Sequence, residues 1–188
     1  MFKEKRYHGF TLIELLIVVA IIAILAAIAI PNFLAAQVRS KVGRSKSEMK
    51  SFATALESYY VDNNAYPNMV GANGQPNMWG YLHVSNDITT PISYISKQPL
   101  DIFRSGKVTY APTEPMRPYY FYQNWDFYYK SDPVAYSYGY NLYGAWKVMS
   151  TGPGAVVISW TTIYDPTNGT ISNGNISRTQ KFADGVWF

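Results

Sequence analysis

The chain of 188 residues contains no cysteine, so it can form no disulfide bond and offers no thiolate to a metal. It has only two histidines, His8 and His83, which leaves little material for an imidazole-based metal site or a Ser-His-Asp arrangement. No glycine-rich phosphate loop is present, because the glycines after residue 139 lie among strand-like and turn-like segments. These absences predict a protein that is not an enzyme.

Charge is also scarce, at 15% of residues, and one long segment almost lacks it. Between Arg6 and Arg39 the only charged side chain is Glu14. At 1.5 Å per residue, a helix over residues 10–30 would extend about 30 Å, the thickness of a bilayer's hydrocarbon core. A carboxylate inside such a segment is energetically costly, so Glu14 requires a functional reason.

A short basic leader, residues 1–9, precedes the apolar segment and carries Lys3, Lys5 and Arg6. Positive charge favours the cytoplasmic side, which places everything after residue 36 outside the inner membrane. Removal of the leader would lower the formal charge from +4 to +2, since it takes away three bases and one acid. The basic balance is therefore no argument for a nucleic-acid partner, and none is expected.

An ordinary secretory signal peptide is the main alternative for this segment. Such a peptide has a shorter apolar region with small residues at a cleavage site behind it, and Ala26-Ala27 or Ala35-Ala36 would be the candidates. This alternative leaves Glu14 unexplained.

Beyond Pro31 the pattern becomes amphipathic. Apolar and small residues recur with alternating spacings of four and three, which predicts one face of a helix; they are Val38, Val42, Ser45, Met49, Phe52, Leu56 and Tyr59. We expect one helix from Phe10 to Val61, ending near Asp62-Asn63-Asn64. Pro31 either marks the membrane exit or forms a kink, a soft point where the helix can stretch.

The opposite face of this helix half is basic. It carries Arg39, Lys41, Arg44, Lys46 and Lys50, together with Glu48. Three interpretations remain open: a solvated surface, contact with lipid phosphates, or contact with acidic patches on neighbouring subunits.

Gly9, the aromatic Phe10 and Glu14 four residues later together resemble the type IV prepilin signal. The segment from Leu56 to Pro67 resembles the "Y…DN…YP" helix ending of type II secretion major pseudopilins. Many pilins carry a C-terminal disulfide, so the absence of cysteine favours the pseudopilin side of the family. The resemblance implies a structural subunit of a type II secretion pseudopilus, with a type IV pilus major pilin as the alternative.

The same resemblance implies processing and partners. A prepilin peptidase would cut between Gly9 and Phe10 and methylate the new amine of Phe10, and Glu14 would pair with that amine on an adjacent subunit. The chain would polymerise with itself and with minor pilins or pseudopilins on an inner-membrane assembly platform. It would be a single-pass protein of the bacterial inner membrane and its lipid bilayer, with the C-terminal domain in the periplasm, assembled into a periplasmic or cell-surface filament.

Residues 65–188 are rich in Tyr, Asn, Gly and Pro, which is typical of an exposed β-rich domain with many turns. A short helix or turn is predicted at Met78–Leu82, and strands are predicted at Val108–Ala111, Tyr119–Tyr122, Tyr136–Leu142, Trp146–Ser150 and Val156–Ser159. The expected fold is α+β and pilin-like. Its parts are the leader (1–9), a transmembrane or filament-core helix (10–36), an amphipathic half (37–64) and a C-terminal domain (65–188) with a small antiparallel sheet of three to five strands.

The turn-rich tail offers oxygen ligands for a Ca²⁺ ion at Asp165, Asn168, Asn173 and Asn175. Type II major pseudopilins hold Ca²⁺ in this region with several Asp ligands, whereas Asp165 is the only acid between Leu142 and Ala183. Calcium and plain β-turn chemistry are both retained as interpretations.

A function from another class is a membrane-anchored carbohydrate-binding module. Its platform would be aromatic: Trp125, Phe127, Tyr128, Tyr129, Tyr136, Tyr138 and Tyr140. The alternative is that these rings build the core of a small domain. Sugar hydrolysis by the nearby Asp126 and Asp132 is conceivable, because such chemistry uses a pair of acids, but no other residue supports it.

Overall fold

The computed structural model describes residues 9–71, 83–104, 118–154, 163–165, 167, 172 and 174–183. The chain divides into two compact units, one up to Gln37 and one from Val38 onward. Helix α1, Leu12–Asn63, contributes to both.

The first unit contains the apolar part of α1, which is solvent-exposed on nearly all sides. A helix that is apolar all round is stable only where lipid or other protein covers it. By length and composition, this helix could cross a membrane. Pro31 lies inside the helix, and the side-chain Nδ2 of Asn32 donates to the carbonyl of Ile28 at 3.1 Å.

In the second unit, α1 buries the face that the spacing predicts. Its buried residues are Val42, Ser45, Met49, Phe52, Ala53, Ala55 and Leu56. The helix ends at Asn63, and Asn64 follows in the left-handed region at φ 50° with its N–H donating to the Tyr60 carbonyl at 2.8 Å. Asn tolerates this conformation and so ends helices well.

Within the described ranges, two antiparallel sheets accompany α1. Strands β1 (Met69–Val70) and β2 (His83–Val84) form a two-stranded pair. Strands β3 (Phe121–Asn124), β4 (Trp146–Ser150) and β5 (Ile176–Thr179) form a three-stranded sheet in the order β3-β4-β5.

The register of the larger sheet places alternate side chains on its two faces. Tyr122 stands opposite Val148, and Val148 stands opposite Arg178. Trp146 and Val148 join the buried cluster that includes Phe52 and Leu56 of α1. The predicted α+β architecture, a long helix with a small antiparallel sheet, is confirmed.

Two helices occupy the segment between β3 and β4. They are α2 (Trp125–Ser131) and α3 (Pro133–Tyr143), so the strand predicted over Tyr136–Leu142 is wrong. Asp132 caps α3 by accepting from the N–H groups of Val134 and Ala135, and Pro133 occupies the first turn, where proline favours a helix.

The spacing of the tyrosines in α3 is compatible with a helix as well as with a strand. Tyr136 and Tyr140 lie four residues apart and stack on Tyr128 and Tyr129 of α2, at centroid distances of 5.0 and 4.6 Å. The helix ends at Tyr143, and Gly144 follows it with a positive φ of 82°, a conformation that favours glycine.

The other predicted elements differ in outcome. Strand β4 has the predicted bounds, and β3 lies two residues later than predicted. Strand β5 was not predicted; it directly follows the turn-rich tail. The predicted elements at 78–82, 108–111 and 156–159 lie outside the described residues.

Candidate functional site

Gly9, Phe10 and Thr11 directly precede α1, and Glu14 lies in its first turn. Glu14 Oε2 accepts from the backbone N–H of Thr11 at 2.8 Å and from its hydroxyl at 2.6 Å. The N–H of Glu14 in turn donates to the Thr11 hydroxyl at 3.3 Å. This reciprocal arrangement is a capping box, which satisfies backbone donors that a helix start leaves open.

Thr11 is a residue that the sequence reasoning missed, although its signal was present. A Thr followed three residues later by Glu, before an apolar run, is the sequence pattern of a capping box. Among the described residues, no hydrogen bond to the other oxygen of Glu14, Oε1, is found. One carboxylate oxygen of Glu14 therefore caps the helix start, while the second can accept a hydrogen bond from a donor outside the chain.

Gly9 and Phe10 precede the helix, and the Phe10 side chain is 74% exposed. A Cβ added at Gly9 would meet no described atom within 4 Å. The described part of the fold therefore does not require glycine at position 9.

On the basic helix face, Arg44 and Glu48 form an ion pair across one helical turn. Arg44 Nε lies 2.8 Å from Glu48 Oε1, and the pair raises the pKa of Arg44. Glu48 Oε2 also accepts from the Tyr120 hydroxyl at 2.8 Å. The same hydroxyl lies 3.2 Å from Oγ of the buried Ser45. Burial raises the pKa of Tyr120, so the phenol is a neutral donor that connects α1 to the residue just before β3.

A second polar network joins α1 to the start of β4. The two carboxylate oxygens of Glu57 accept from Trp146 Nε1 at 2.8 Å and from the Tyr66 hydroxyl at 3.1 Å. Gln180 donates to the same Tyr66 hydroxyl at 2.8 Å and accepts from the Ala145 N–H at 2.7 Å. No sequence pattern indicated this network, because its members are far apart along the chain.

Asp101 forms a buried anchor for the segment before β3. Its carboxylate accepts from the Ser150 hydroxyl at 2.7 Å, from Thr151 N at 3.1 Å and from Phe103 N at 3.0 Å. Burial raises the pKa of Asp101, and the three donors and nearby Arg104 oppose that rise. The neighbouring Arg104 lies over the Phe121 ring at 4.0 Å.

Of the four candidate calcium ligands, Asp165 and Asn175 belong to the described residues, whereas Asn168 and Asn173 lie outside them. Oδ1 of Asp165 already accepts from the N–H and the hydroxyl of Thr167, at 2.8 and 2.6 Å. Within the described ranges no cluster of three or more His, Asp or Glu side chains is suited to a metal. The calcium interpretation therefore stays a prediction.

The residues considered for catalysis serve local structure. His83 is buried in β2, with its ring 5.8 Å from that of Tyr119. Asp126 accepts from Lys130 at 2.7 Å, and Asp132 caps α3.

The aromatic residues considered for carbohydrate binding lie on α2 and α3 and divide between packing and exposure. Trp125 contacts Tyr128 and Tyr143 at centroid distances of 5.6 and 5.5 Å, and Tyr128 is buried. Tyr138 and Phe127 are exposed. Most of the proposed platform therefore packs between the two helices.

The chain is similar in sequence to several known proteins. Residues 5–30 match the family model of the prokaryotic N-terminal methylation motif. The chain is 33% identical over 122 residues to type II secretion system core protein G of Pseudomonas aeruginosa, in an alignment covering 55% of this chain and 86% of that relative.

It is also 48% identical over 82 residues to the type IV major pilin protein PilA of Myxococcus xanthus, covering 42% of this chain and 37% of that protein. A type IV wide pilus major component of Thermus thermophilus, PilA4, is 53% identical over 62 residues, covering 33% of this chain and 47% of that protein. The chain thus spans less than half the length of these two pilins. No solved structure matches it significantly.

The chain begins with a methylation motif and a helix that is long and apolar enough to cross a membrane. These features are typical of membrane-anchored subunits that form filaments. The chain belongs to the type IV pilin-like family, which includes type IV pilins and type II secretion core proteins G. Members of this family are structural subunits and not enzymes.

Proposed function

We propose that this chain is the major subunit of a type II secretion pseudopilus, which polymerises through α1 to drive protein export. The alignment with core protein G carries the proposal, because it covers 86% of that relative. Its 55% share of this chain is longer than residues 1–63, so it must extend beyond α1. Similarity confined to the helix would be common to every filament of the family.

Before assembly, the apolar part of α1 anchors the subunit in the inner membrane, and the unit from Val38 onward lies in the periplasm. The exposed apolar surface supports this proposal, since it needs lipid around it. In the filament, the same surface would be covered by the helices of neighbouring subunits. Pro31 removes one helical N–H donor, so we propose it as the soft point at which the helix stretches during this exchange.

Processing would occur between Gly9 and Phe10. Because the fold does not require glycine at position 9, the requirement would come from the peptidase, which must approach the backbone closely. Gly9→Val should therefore fold normally and keep its leader, whereas the parent chain is cut and methylated at Phe10. Intact-mass spectrometry of the purified protein distinguishes the two products.

Glu14 would pair through Oε1 with the methylated amine of Phe10 on an adjacent subunit. A charge buried among apolar helices needs a partner, and such a pair would set the axial register of the filament. Glu14→Gln is an informative variant, because glutamine also completes a capping box but carries no charge. If charge pairing sets the register, Glu14→Gln is processed yet assembles as poorly as Glu14→Ala; normal filaments from Glu14→Gln contradict the pairing.

A type IV pilus is the second candidate, supported by the 48% identity to the Myxococcus pilin. A deletion strain tests both proposals. Loss of secreted enzymes from the medium with surface filaments intact supports the pseudopilus, whereas loss of surface filaments with secretion intact supports the pilus. Complementation by the parent chain and failure of Glu14→Ala tie either phenotype to assembly.

A further inference from the structure

A groove of about 430 Å³ lies between the second half of α1 and strand β5. One side is a stripe of α1 at helical spacing, and the other is the end of β5 with Trp146 of β4. The lining residues are Lys50, Ala53, Thr54, Glu57, Ser58, Val61, Trp146, Arg178, Thr179 and Gln180.

The groove is cationic and partly apolar. Lys50 and Arg178 form no ion pair with any described residue, and the Nε of Arg178 is buried without a described hydrogen-bond partner. The one acid of the lining, Glu57, is already engaged by Trp146 and Tyr66. Val61 adds an apolar edge that is 81% exposed. The groove therefore suits a carboxylate presented beside apolar side chains.

The same unit presents such a combination at the start of α3. Val134 and Tyr138 are one helical turn apart on α3 and are 89% and 75% exposed. Asp132 precedes them and caps the helix through Oδ1. No hydrogen bond to its Oδ2 is found among the described residues, so Oδ2 can face a cation. Two exposed apolar residues beside an acid on a helix start form a surface that complements the groove, and we name it the α3 corner.

A helical filament needs two different surfaces on each subunit. A head-to-tail contact that does not close joins one patch of a subunit to another patch of the next, so the two must be complementary in charge and shape. The groove and the α3 corner meet this requirement on a single chain.

We propose that the α3 corner of one subunit docks in the groove of the next, with Asp132 facing Lys50 and Arg178 and Val134 lying against the groove wall near Val61. This inference rests on the proposed filament function and adds to it a contact outside the N-terminal helix. Because electrostatic complementarity orients partners more than it adds affinity, the ion pairs would select the register of the domains.

Cysteine cross-linking tests the contact cleanly, because the chain contains no cysteine. The full-length Ser58→Cys/Val134→Cys variant would be assembled in cells and treated with a short bismaleimide linker. We expect a ladder of covalent multimers, because each subunit would link to the next. Each single variant is one control, and Ser58→Cys/Ile92→Cys is another, since Ile92 is also exposed. Adding Glu14→Ala, which we expect to impair assembly, should weaken or abolish the ladder.

Charge variants provide a second readout that does not depend on the linker. Asp132→Asn keeps a good helix cap but removes the charge, and Lys50→Glu reverses the charge on the groove. Each should reduce the ladder of the double-cysteine variant, whereas Lys97→Glu at an exposed position should not.

The outcomes separate this contact from the function on which it rests. Filaments visible by microscopy without a ladder, or with an equal ladder from the Ile92 pair, overturn the docking and leave the filament function standing. A cross-link from Ser58→Cys to a protein of another mass overturns it in favour of a different occupant. Absence of filaments from the parent chain overturns both proposals.

Discussion

Lys147 provides the sharpest test of the second unit, because it is a lysine at the centre of the sheet that is only 1% exposed. It stands opposite Gln123 on β3 and Thr179 on β5, and its Nζ lies 4.1 Å from the centroid of the Tyr143 ring. Burial lowers the pKa of Lys147 from 10.5 to about 7. The folded protein thus binds this proton far more weakly than the unfolded chain does.

The sign of the pH dependence follows from the proton count. Between pH 7 and 10.5 the unfolded chain holds the proton and the folded protein has lost it, so the free energy of unfolding rises with pH by at most about 1.4 kcal/mol per unit. From pH 7 to pH 9 this amounts to about 2 kcal/mol, since Lys147 is still half-protonated in the folded state at pH 7. Below pH 7 the contribution approaches a constant.

Lys147→Met removes this dependence, so its stability relative to the parent should fall by about 2 kcal/mol from pH 7 to pH 9. Urea unfolding of the mature full-length chain in detergent micelles measures the difference. Tryptophan fluorescence is a suitable signal, because all five tryptophans lie at or after residue 79 and so report on the second unit. Lys97→Met, at an exposed position, is the matched control.

The pH range must end near 9, because burial raises the pKa of Tyr128 and Tyr143 to about 12. These phenols destabilise the fold as pH rises through the ordinary tyrosine value of about 10. Parallel stability profiles for the parent and Lys147→Met from pH 7 to pH 9 would refute the assignment of a buried lysine with a lowered pKa.

Four further predictions concern single side chains. Asp101→Ala should lower the free energy of urea unfolding by about 3 kcal/mol, because it leaves two buried donors and one half-buried donor without their acceptor; a change below 1 kcal/mol would contradict the anchor. Gly139→Ala should cost about 1–3 kcal/mol in the same assay, because a Cβ there would overlap the Trp125 ring; an unchanged midpoint would argue against that packing. Thr11→Val should weaken the helix start by about 1 kcal/mol, measured as faster amide exchange in micelles, whereas Thr11→Ser should not. If the tail binds calcium, Ca²⁺ but not Mg²⁺ should raise the melting temperature, and Asp165→Ala should abolish the rise; no rise in the parent would eliminate the calcium interpretation.

The long helix could be predicted from the sequence because its determinants are local. The 3.6-residue period and the apolar run predicted a 52-residue helix over 10–61, and the structure places a 52-residue helix at Leu12–Asn63. The helix begins two residues later than predicted because Thr11 forms the capping box with Glu14, so that Leu12 is the first helical residue. The helix ends two residues later than predicted, at Asn63, because Asn64 adopts the left-handed conformation.

Helix α3 could not be predicted by alternation alone. Tyrosines at positions 136, 138 and 140 satisfy a period of two, but those at 136, 140 and 143 also satisfy a helical period. Stacking on α2, the Asp132 cap and Pro133 decide the choice. The cap and the proline were local signals that outweighed the alternation, whereas the stacking partners could be identified only once α2 was in place.

The sequence by itself determined the membrane-compatible helix, the processing motif around Gly9 and Phe10 and the family, because each depends on residues within a few turns of one another. Only the tertiary structure decided which polar groups meet: Glu57 with Trp146, 89 residues later, and Asp101 with Ser150, 49 residues later. It also decided that Lys147 is buried and that Lys50 and Arg178 line one groove. Burial and encounters between distant side chains arise from packing of the whole unit, which local periodicity does not specify.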